Sequence, residues 1–486
     1  MLYADDEALI ADLLENRRIE VKRIAWPSGR QQAAYYVACR DHVRKILADD
    51  ATFTSGQYTR KLENLLHDYD YSGWLRPGEK KGSEQPVFQR FMLGMAGDDP
   101  EKKARHQILM RALAASSIKG VRKGIGNCVG PIASAVVKAA IGNGEKSGGF
   151  DLVNPIGYGV PLAGAVEHFG FPDLKGFSDA YKALYFERTS IEEVRSLGFL
   201  EQFPKGEDQS TLPPELFVLA HTIAVFLLID QYDTPSTLEL ARVAVKELLD
   251  RLGEEVLAEQ DLIATRNPSR TLLSLLLQSP TDGVDPVTFR ARVGMIVAEL
   301  VVGGVDTTAK GITNVVDCLL SNPEALELAR TAVDADDDET LDNIILEALR
   351  LEPVADLIVR ECPKEAVLEL TNGSFPFEAG SRLFLIPPAA MKDPGADPLP
   401  PGVELETFVL SQADEVRRAL DPIRRLAFGD GPHGCLGIEM VLAEIREVLK
   451  QLVKLKNLRR AAGPTGKKTE DLDLPVSLEI RFDPKS

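Results

Sequence analysis

The sequence predicts a mainly α chain with small β-sheets, and three observations predict it. Apolar residues recur at helical spacing from Lys102 to Leu349. Strand-like runs occur only toward the two ends, in the parts near 19–38 and 367–386. No repeat of the length that marks a solenoid or propeller interrupts this pattern.

In chain order, Ile19 to Ile24 and Ala33 to Ala38 read as short strands. A helical core follows over about 98–350. Within it, Leu216 to Ile229 (LFVLAHTIAVFLLI) is almost unbroken in its apolar character and follows Pro213-Pro214. That run is shorter than the roughly 20 residues a bilayer span needs. It reads as a buried core helix, or else as a lipid-facing or substrate-entrance surface, with His221 as a packed core histidine. A long helix is expected over Pro286 to Leu320. Val367 to Leu370 and Arg382 to Ile386 read as a strand pair around the turn Asn372-Gly373, and Asp393 to Gly402 as a Pro/Gly loop. The last long helix is expected from Ile438 to Leu455. The whole, 1–486, reads as one domain.

The charge balance excludes some function classes. A net charge of −18 argues against nucleic acid or an anionic membrane as the main partner. Cys39, Cys128, Cys318, Cys362 and Cys435 are dispersed, with no CxxC pair, which suits a reducing, cytoplasmic setting better than a disulfide framework. Met1 to Glu20 lacks a basic segment followed by an apolar one, so it reads as neither a secretory signal nor a membrane anchor.

The densest chemistry lies at 428–437, Phe-Gly-Asp-Gly-Pro-His-Gly-Cys-Leu-Gly. Gly429, Gly431 and Gly434 permit a turn that residues with a Cβ resist, and one that can approach a flat cofactor closely. Cys435 is a soft ligand ahead of a helix, whose amides and dipole lower a thiol pKa. A plain glycine turn with an incidental cysteine is the bland alternative. No Cys/His/Asn arrangement of the protease kind accompanies it.

Upstream, Val301-Val-Gly-Gly-Val-Asp-Thr-Thr308 lies inside the long helical pattern. Each mid-helix glycine costs on the order of 1 kcal/mol relative to alanine, so Gly303 and Gly304 need a reason. Room for a flat ligand or for dioxygen is one reason; close helix packing is another. Asp306 and Thr307 supply an acid and an alcohol able to relay protons. Glu347 and Arg350 are an i,i+3 pair on one helix face, a spacing that is usually a solvated surface pair.

Taken together, these segments resemble the cytochromes P-450 over roughly Asp98 to Leu455. Phe428, Gly431, His433, Cys435 and Gly437 fill the family's haem-binding loop. Gly303, Gly304, Asp306, Thr307 and Thr308 fill its oxygen-activating helix motif, and Glu347 with Arg350 fills its ExxR. The resemblance implies the P-450 fold, haem b as cofactor, and Cys435 as proximal iron ligand with Phe428 packed near its sulfur. It implies that His433 and Arg360 meet haem propionates, that Thr307 and Asp306 serve oxygen activation, and that Glu347 and Arg350 form a structural network. A third arginine belongs to that network; Arg417 and Arg418 are the candidates, because the segment that normally carries it is not recognisable. At the propionate helix, Lys102 and His106 replace the usual pair, unless the register shifts to Arg105.

By the same resemblance Val302, Gly303, Val305 and Thr307 line the distal side. Val354, Ala355 and Leu357 add substrate contacts, and Tyr69 to Trp74 covers the entrance. Asp356 reads as a substrate hydrogen-bond partner or as one half of a salt bridge to a nearby arginine. The extension at 186–236 reads as a lid admitting a long, lipid-like substrate. No GxGxxG follows a strand and no iron–sulfur cysteine cluster is present, so electrons are expected from a separate ferredoxin- or flavodoxin-type donor, or as peroxide. Lys102, Lys103, Arg105, Arg417, Arg418, Arg424 and Arg425 are the expected docking charges. The implied activity is hydroxylation or epoxidation of an apolar substrate. The alternatives are a hydroperoxide isomerase or peroxygenase acting on fatty-acid derivatives, and a haem-thiolate ligand-binding or sensor protein without catalysis.

Overall fold

A computed structural model of the chain describes residues 7–16, 19–25, 31–80, 90–115, 121–174, 178, 179, 182, 214–230, 235–281, 283–370, 373–395, 399–471 and 474–484. Residues 183–213 and 231–234, most of the 186–236 extension, lie outside it. Helices dominate. The strands are β1 (Glu20–Ala25), β2 (Gln31–Val37), β3 (Gly149–Asp151), β4 (Ile358–Cys362), β5 (Ala366–Leu370), β6 (Gly373–Phe377), β7 (Ser381–Leu385) and short pieces near the C-terminus.

From Ala33 onward β2 shows no alternation of polar and apolar residues, and the packing shows why. Ala33, Tyr35 and Val37 pack into one core cluster, while Ala34 and Tyr36 pack into another, so both faces are covered. The sheet order is β1-β2-β7-β4, with β2 parallel to β7 and β4 antiparallel to β7. A strand buried on both sides carries no polar alternation.

The expected pairing of 367–370 with 382–386 is corrected. β5 pairs with β6, Leu370 opposite Gly373, and β7 joins the four-stranded sheet instead. Both arrangements satisfy the local pattern; burial decides. β7 is buried at all five positions, whereas β5 and β6 have one buried position each and are otherwise exposed or half-buried, so β7 takes the sheet interior.

The long helix (Pro286–Ser321) runs through the main core. Asp285 caps it, its side chain accepting from the Val287 and Thr288 amides at 3.0 Å, with Pro286 in the first turn. The apolar helix (Glu215–Ala224) lies against it, buried along its entire length, and continues in a π turn, Val225–Ile229. Its end reaches the central cavity, so this run is at once a core helix and a wall of that cavity. Trp74, expected over the entrance, is instead fully buried, and the glycines that admit it are Gly253 and Gly294 on the two neighbouring helices. A Cβ at Gly294 would stand 2.2 Å from its ring, so the indole is a core wedge.

Candidate haem-thiolate site

The cysteine loop begins where a 3₁₀ turn, Arg425–Phe428, ends at Gly429. Gly429 and Gly431 adopt φ of +78° and +69°, and a Cβ at Gly431 would press within 2.5 Å of the Leu47 carbonyl. Those two glycines are required by the backbone. Gly434 is not: its φ of −55° is open to any residue. The Cys435 amide donates to the Phe428 carbonyl at 2.8 Å, closing the loop, and Gly437 starts the cysteine helix (Ile438–Leu452). The Cys435 side chain is exposed, but to a cavity inside the fold. Burial pushes its thiol pKa up, while the amides of Gly437 and Ile438 pull it down. Burial wins, so the expectation of a lowered pKa is corrected: the helix terminus acts in the expected direction and is outweighed.

The cavity measures about 1130 Å³, above the roughly 300–1,000 Å³ of ordinary ligand sites. One wall is the long helix. A Cβ added at Gly303 or Gly304 would meet nothing within 4 Å, so those glycines open the helix surface to the cavity rather than pack against a neighbour. Val302, Thr307, Val354, Ala355 and Leu357 also line it. Val305 does not: it is 2% exposed and belongs to the core, on the opposite helix face.

Along one rim the structure gathers positive charge. Lys102 Nζ lies 3.1 Å from His433 Nδ1, and His433 Nε2 lies 3.3 Å from both Ser55 Oγ and Asp50 Oδ2. Arg360 is 3% exposed and donates to its neighbour's carbonyl, and its Nε has no partner among the described residues. Burial, then Lys102 and Arg360, hold the His433 pKa down at about 4. Asp50 is the carboxylate already at this rim, and the unpartnered Arg360 Nε can take a further carboxylate from a bound anion. His106 lines the cavity as well, whereas Arg105 is fully buried and held by Glu101 at 3.0 Å and the Arg90 carbonyl at 2.7 Å, which rules out the shifted register.

On the long helix, the Thr307 hydroxyl donates to the Gly303 carbonyl at 2.5 Å. Asp306, only 4% exposed, lies 3.0 Å from His221 Nδ1. Tyr158 stands near the same carboxylate; burial raises its pKa well above the phenol range and the Asp306 charge adds to that. His221 is therefore packed in the core, as its apolar surroundings suggest, and also bound to the acid of the motif. A lone histidine inside an unbroken apolar run was the available signal.

Asp356 pairs with Lys310 at 3.1 Å, the salt bridge expected of it, with a lysine as a partner. Lys310 falls one turn beyond Asp306 and was not singled out by any motif.

Beneath the loop, Glu347 is fully buried and accepts from Arg350 Nη2 at 2.8 Å, Arg424 Nε at 2.7 Å and the Val409 amide at 2.9 Å. Burial acts to raise its pKa, but the two guanidiniums and the amide outweigh it and hold the carboxyl below its usual value. The third arginine is thus Arg424, not Arg417, which pairs with Glu339, or Arg418, which is exposed. Of the seven expected docking charges, Arg105 and Arg424 are buried and Lys102 faces His433; Lys103, Arg418 and Arg425 are exposed and Arg417 is half-buried.

Among the described residues no helix is long and apolar enough to cross a membrane. Comparison with known proteins places these observations. Cytochrome P450 705A20 of Arabidopsis thaliana is 25% identical over 228 residues, 44% of this chain and 43% of that protein. The (S)-1-hydroxy-N-methylcanadine 13-hydroxylase of Papaver somniferum is 27% identical over 234 residues, 46% and 40% of the two chains. The alignments thus span less than half the length of these relatives. The crystal structure of CalO2 superposes with a TM-score of 0.67 at 17% identity, covering 99% of this chain and 97% of that one, which establishes the same fold. The cytochrome P450 family model matches residues 215–459, just over half of the chain and inclusive of His221, the long helix and the cysteine loop. On that match, this chain belongs to the cytochrome P450 family.

Proposed function

We propose that the chain holds haem b through Cys435 and uses O2 to hydroxylate or epoxidise an apolar substrate. One observation carries this reading: the Cys435 thiol and the Gly303–Gly304 opening face the same cavity, whose rim holds the buried Arg360 Nε without a hydrogen-bond partner among the described residues. Lys102, His433 and Arg360 would hold the propionates through charge-assisted hydrogen bonds, and Phe428 would pack beside the sulfur. A thiolate-ligated haem, when bound, supplies O2 activation and oxygen-atom transfer. O2, two electrons and two protons then yield the oxygenated product and water. The similarity to a hydroxylase of Papaver somniferum supports the reaction class.

The chain's own residues act on protons and water. Thr307 now donates to Gly303; turned toward the cavity, the same hydroxyl can donate there. Asp306, adjacent in sequence and held by His221, is the acid that can reprotonate it. Val302, Val354, Ala355 and Leu357 exclude water from the reacting carbon. A ferredoxin- or flavodoxin-type donor supplies electrons, docking on the exposed Lys103, Arg418 and Arg425. The Asp306–Thr307 pair favours this reading over peroxide-driven turnover.

The reduced, CO-treated protein is expected to show the red-shifted Soret band of a thiolate haem, and Cys435→Ala to abolish it. An unshifted band, or one that survives the substitution, overturns the assignment. Thr307→Ala is expected to uncouple O2 consumption from product; unchanged coupling would favour a hydroperoxide-driven enzyme or a ligand-binding protein.

A further inference from the structure

Resting on the haem-bound reading, we propose that Lys310 and Asp356 form a polar anchor for the substrate, and that the substrate class is an apolar molecule bearing a neutral hydroxyl group. Both residues line the cavity. Lys310 Nζ lies 3.1 Å from Asp356 Oδ2, and the two side chains are buried unequally, Lys310 at 3% exposed and Asp356 at 29%. The pair is therefore not sealed: its acidic edge opens into the cavity. The same cavity is lined by apolar side chains, among them Leu349, Val354 and Leu357.

A buried ion pair is weak support for stability, because desolvation offsets most of the attraction. An apolar pair would fill this position as well, so the charges need another reason. Facing the cavity, they discriminate between ligands. The pair is neutral overall, so it offers no net attraction to a charged ligand. A carboxylate would meet Asp356 directly, with Asp306 one helical turn from Lys310. A hydroxyl suits both members: it donates to the Asp356 carboxylate and accepts from the Lys310 ammonium. The Lys310 position, three residues after Thr307, holds that hydroxyl about one helical turn from the reacting end of the cavity.

The test compares ligands of equal length on the haem-loaded protein. The probes are 1-decanol, decanoate and 1-methoxynonane, an ether that keeps the acceptor oxygen and removes the donor. Dissociation constants are read from the Soret spin-state shift and, independently, by calorimetry. The alcohol is expected to bind about 10-fold tighter than the ether, one hydrogen bond's worth, and tighter than the carboxylate. In Lys310→Met/Asp356→Leu, which removes both partners together, that preference is expected to vanish, the alcohol losing more affinity than the ether. Equal binding of alcohol and ether by the unsubstituted protein overturns the proposal, as does tighter binding of decanoate or a preference that survives the double substitution. The ligand series on the unsubstituted protein decides the matter even if the double variant does not fold. A protein with no thiolate-haem band fails the underlying reading instead, and is recognised before any ligand is added.

Discussion

Two charged regions flank the same cavity and are built on opposite plans. Under the cysteine loop, the Glu347 carboxylate is saturated: Arg350, Arg424 and the Val409 amide all donate to it, and Arg350 also donates to the Leu405 carbonyl at 2.6 Å and the Thr407 carbonyl at 2.9 Å. On the distal wall, the one side chain hydrogen-bonded to the buried Asp306 carboxylate among the described residues is the His221 imidazole. Saturated charges cannot move without leaving several groups unpaired. A carboxylate with a single partner exchanges it at the cost of one hydrogen bond. The first plan suits a platform for a cofactor, the second a group that has to change partners.

The largest expected effect breaks the saturated side. Glu347→Gln leaves two buried guanidiniums without their counter-charge and should cost about 3–5 kcal/mol of stability. Chemical denaturation, or loss of soluble protein, reads it out. The same group gives a pH signature. Its folded pKa is depressed, so its contribution is present above the unfolded value near 4.5 and is lost as pH falls through the folded one.

A second buried glutamate sharpens the contrast with the opposite sign. Glu444 on the cysteine helix is 3% exposed, and burial raises its pKa to about 8. Between about pH 4.5 and 8 the folded chain keeps a proton that the unfolded chain has released, so stability falls as pH rises. The slope reaches at most about 1.4 kcal/mol per pH unit. Glu444→Gln should flatten it and leave the variant more stable than the parent at pH 8. Parallel stability–pH curves for the two proteins would count against it.

Breaking the sparse side should matter less for stability and more for chemistry. His221→Phe keeps the volume but strips Asp306 of its imidazole, at about 1–3 kcal/mol. The haem-loaded variant is expected to retain its spectrum while yielding less product per O2 consumed. Unaltered coupling would show that the imidazole serves packing alone. The smallest effect belongs to the helix opening. Gly303→Ala should stabilise the haem-free chain by up to about 1 kcal/mol, since the new methyl meets no protein atom. Ligand affinity should fall, because the methyl occupies cavity space.

How far the sequence could be read depended on how local each interaction is. The loop turns at Gly429 and Gly431, the helix start after Gly437 and the Glu347–Arg350 pair all lie within a few residues of their partners, and each was legible. Arg424 was missed because 77 residues separate it from Glu347, and nothing local distinguishes it from Arg417 or Arg418. The partner of β5 was misjudged because strand pairing is decided by which run can be buried on both faces. Val305 was misplaced by one helical position, which is enough to turn a side chain from the cavity into the core.

By itself, then, the sequence determined the helical class, the cysteine loop that carries Cys435, the glycines that open the long helix and the acid–alcohol pair upon it. Each is a local pattern whose chemistry follows from residue type and spacing. Only the tertiary structure decided that His221 meets Asp306 across 85 residues, that Lys102 meets His433 across 331, and that Lys310 meets Asp356 across 46. A charge entering a low-dielectric interior must find a counter-group there, and which one it finds depends on packing that no stretch of chain encodes alone.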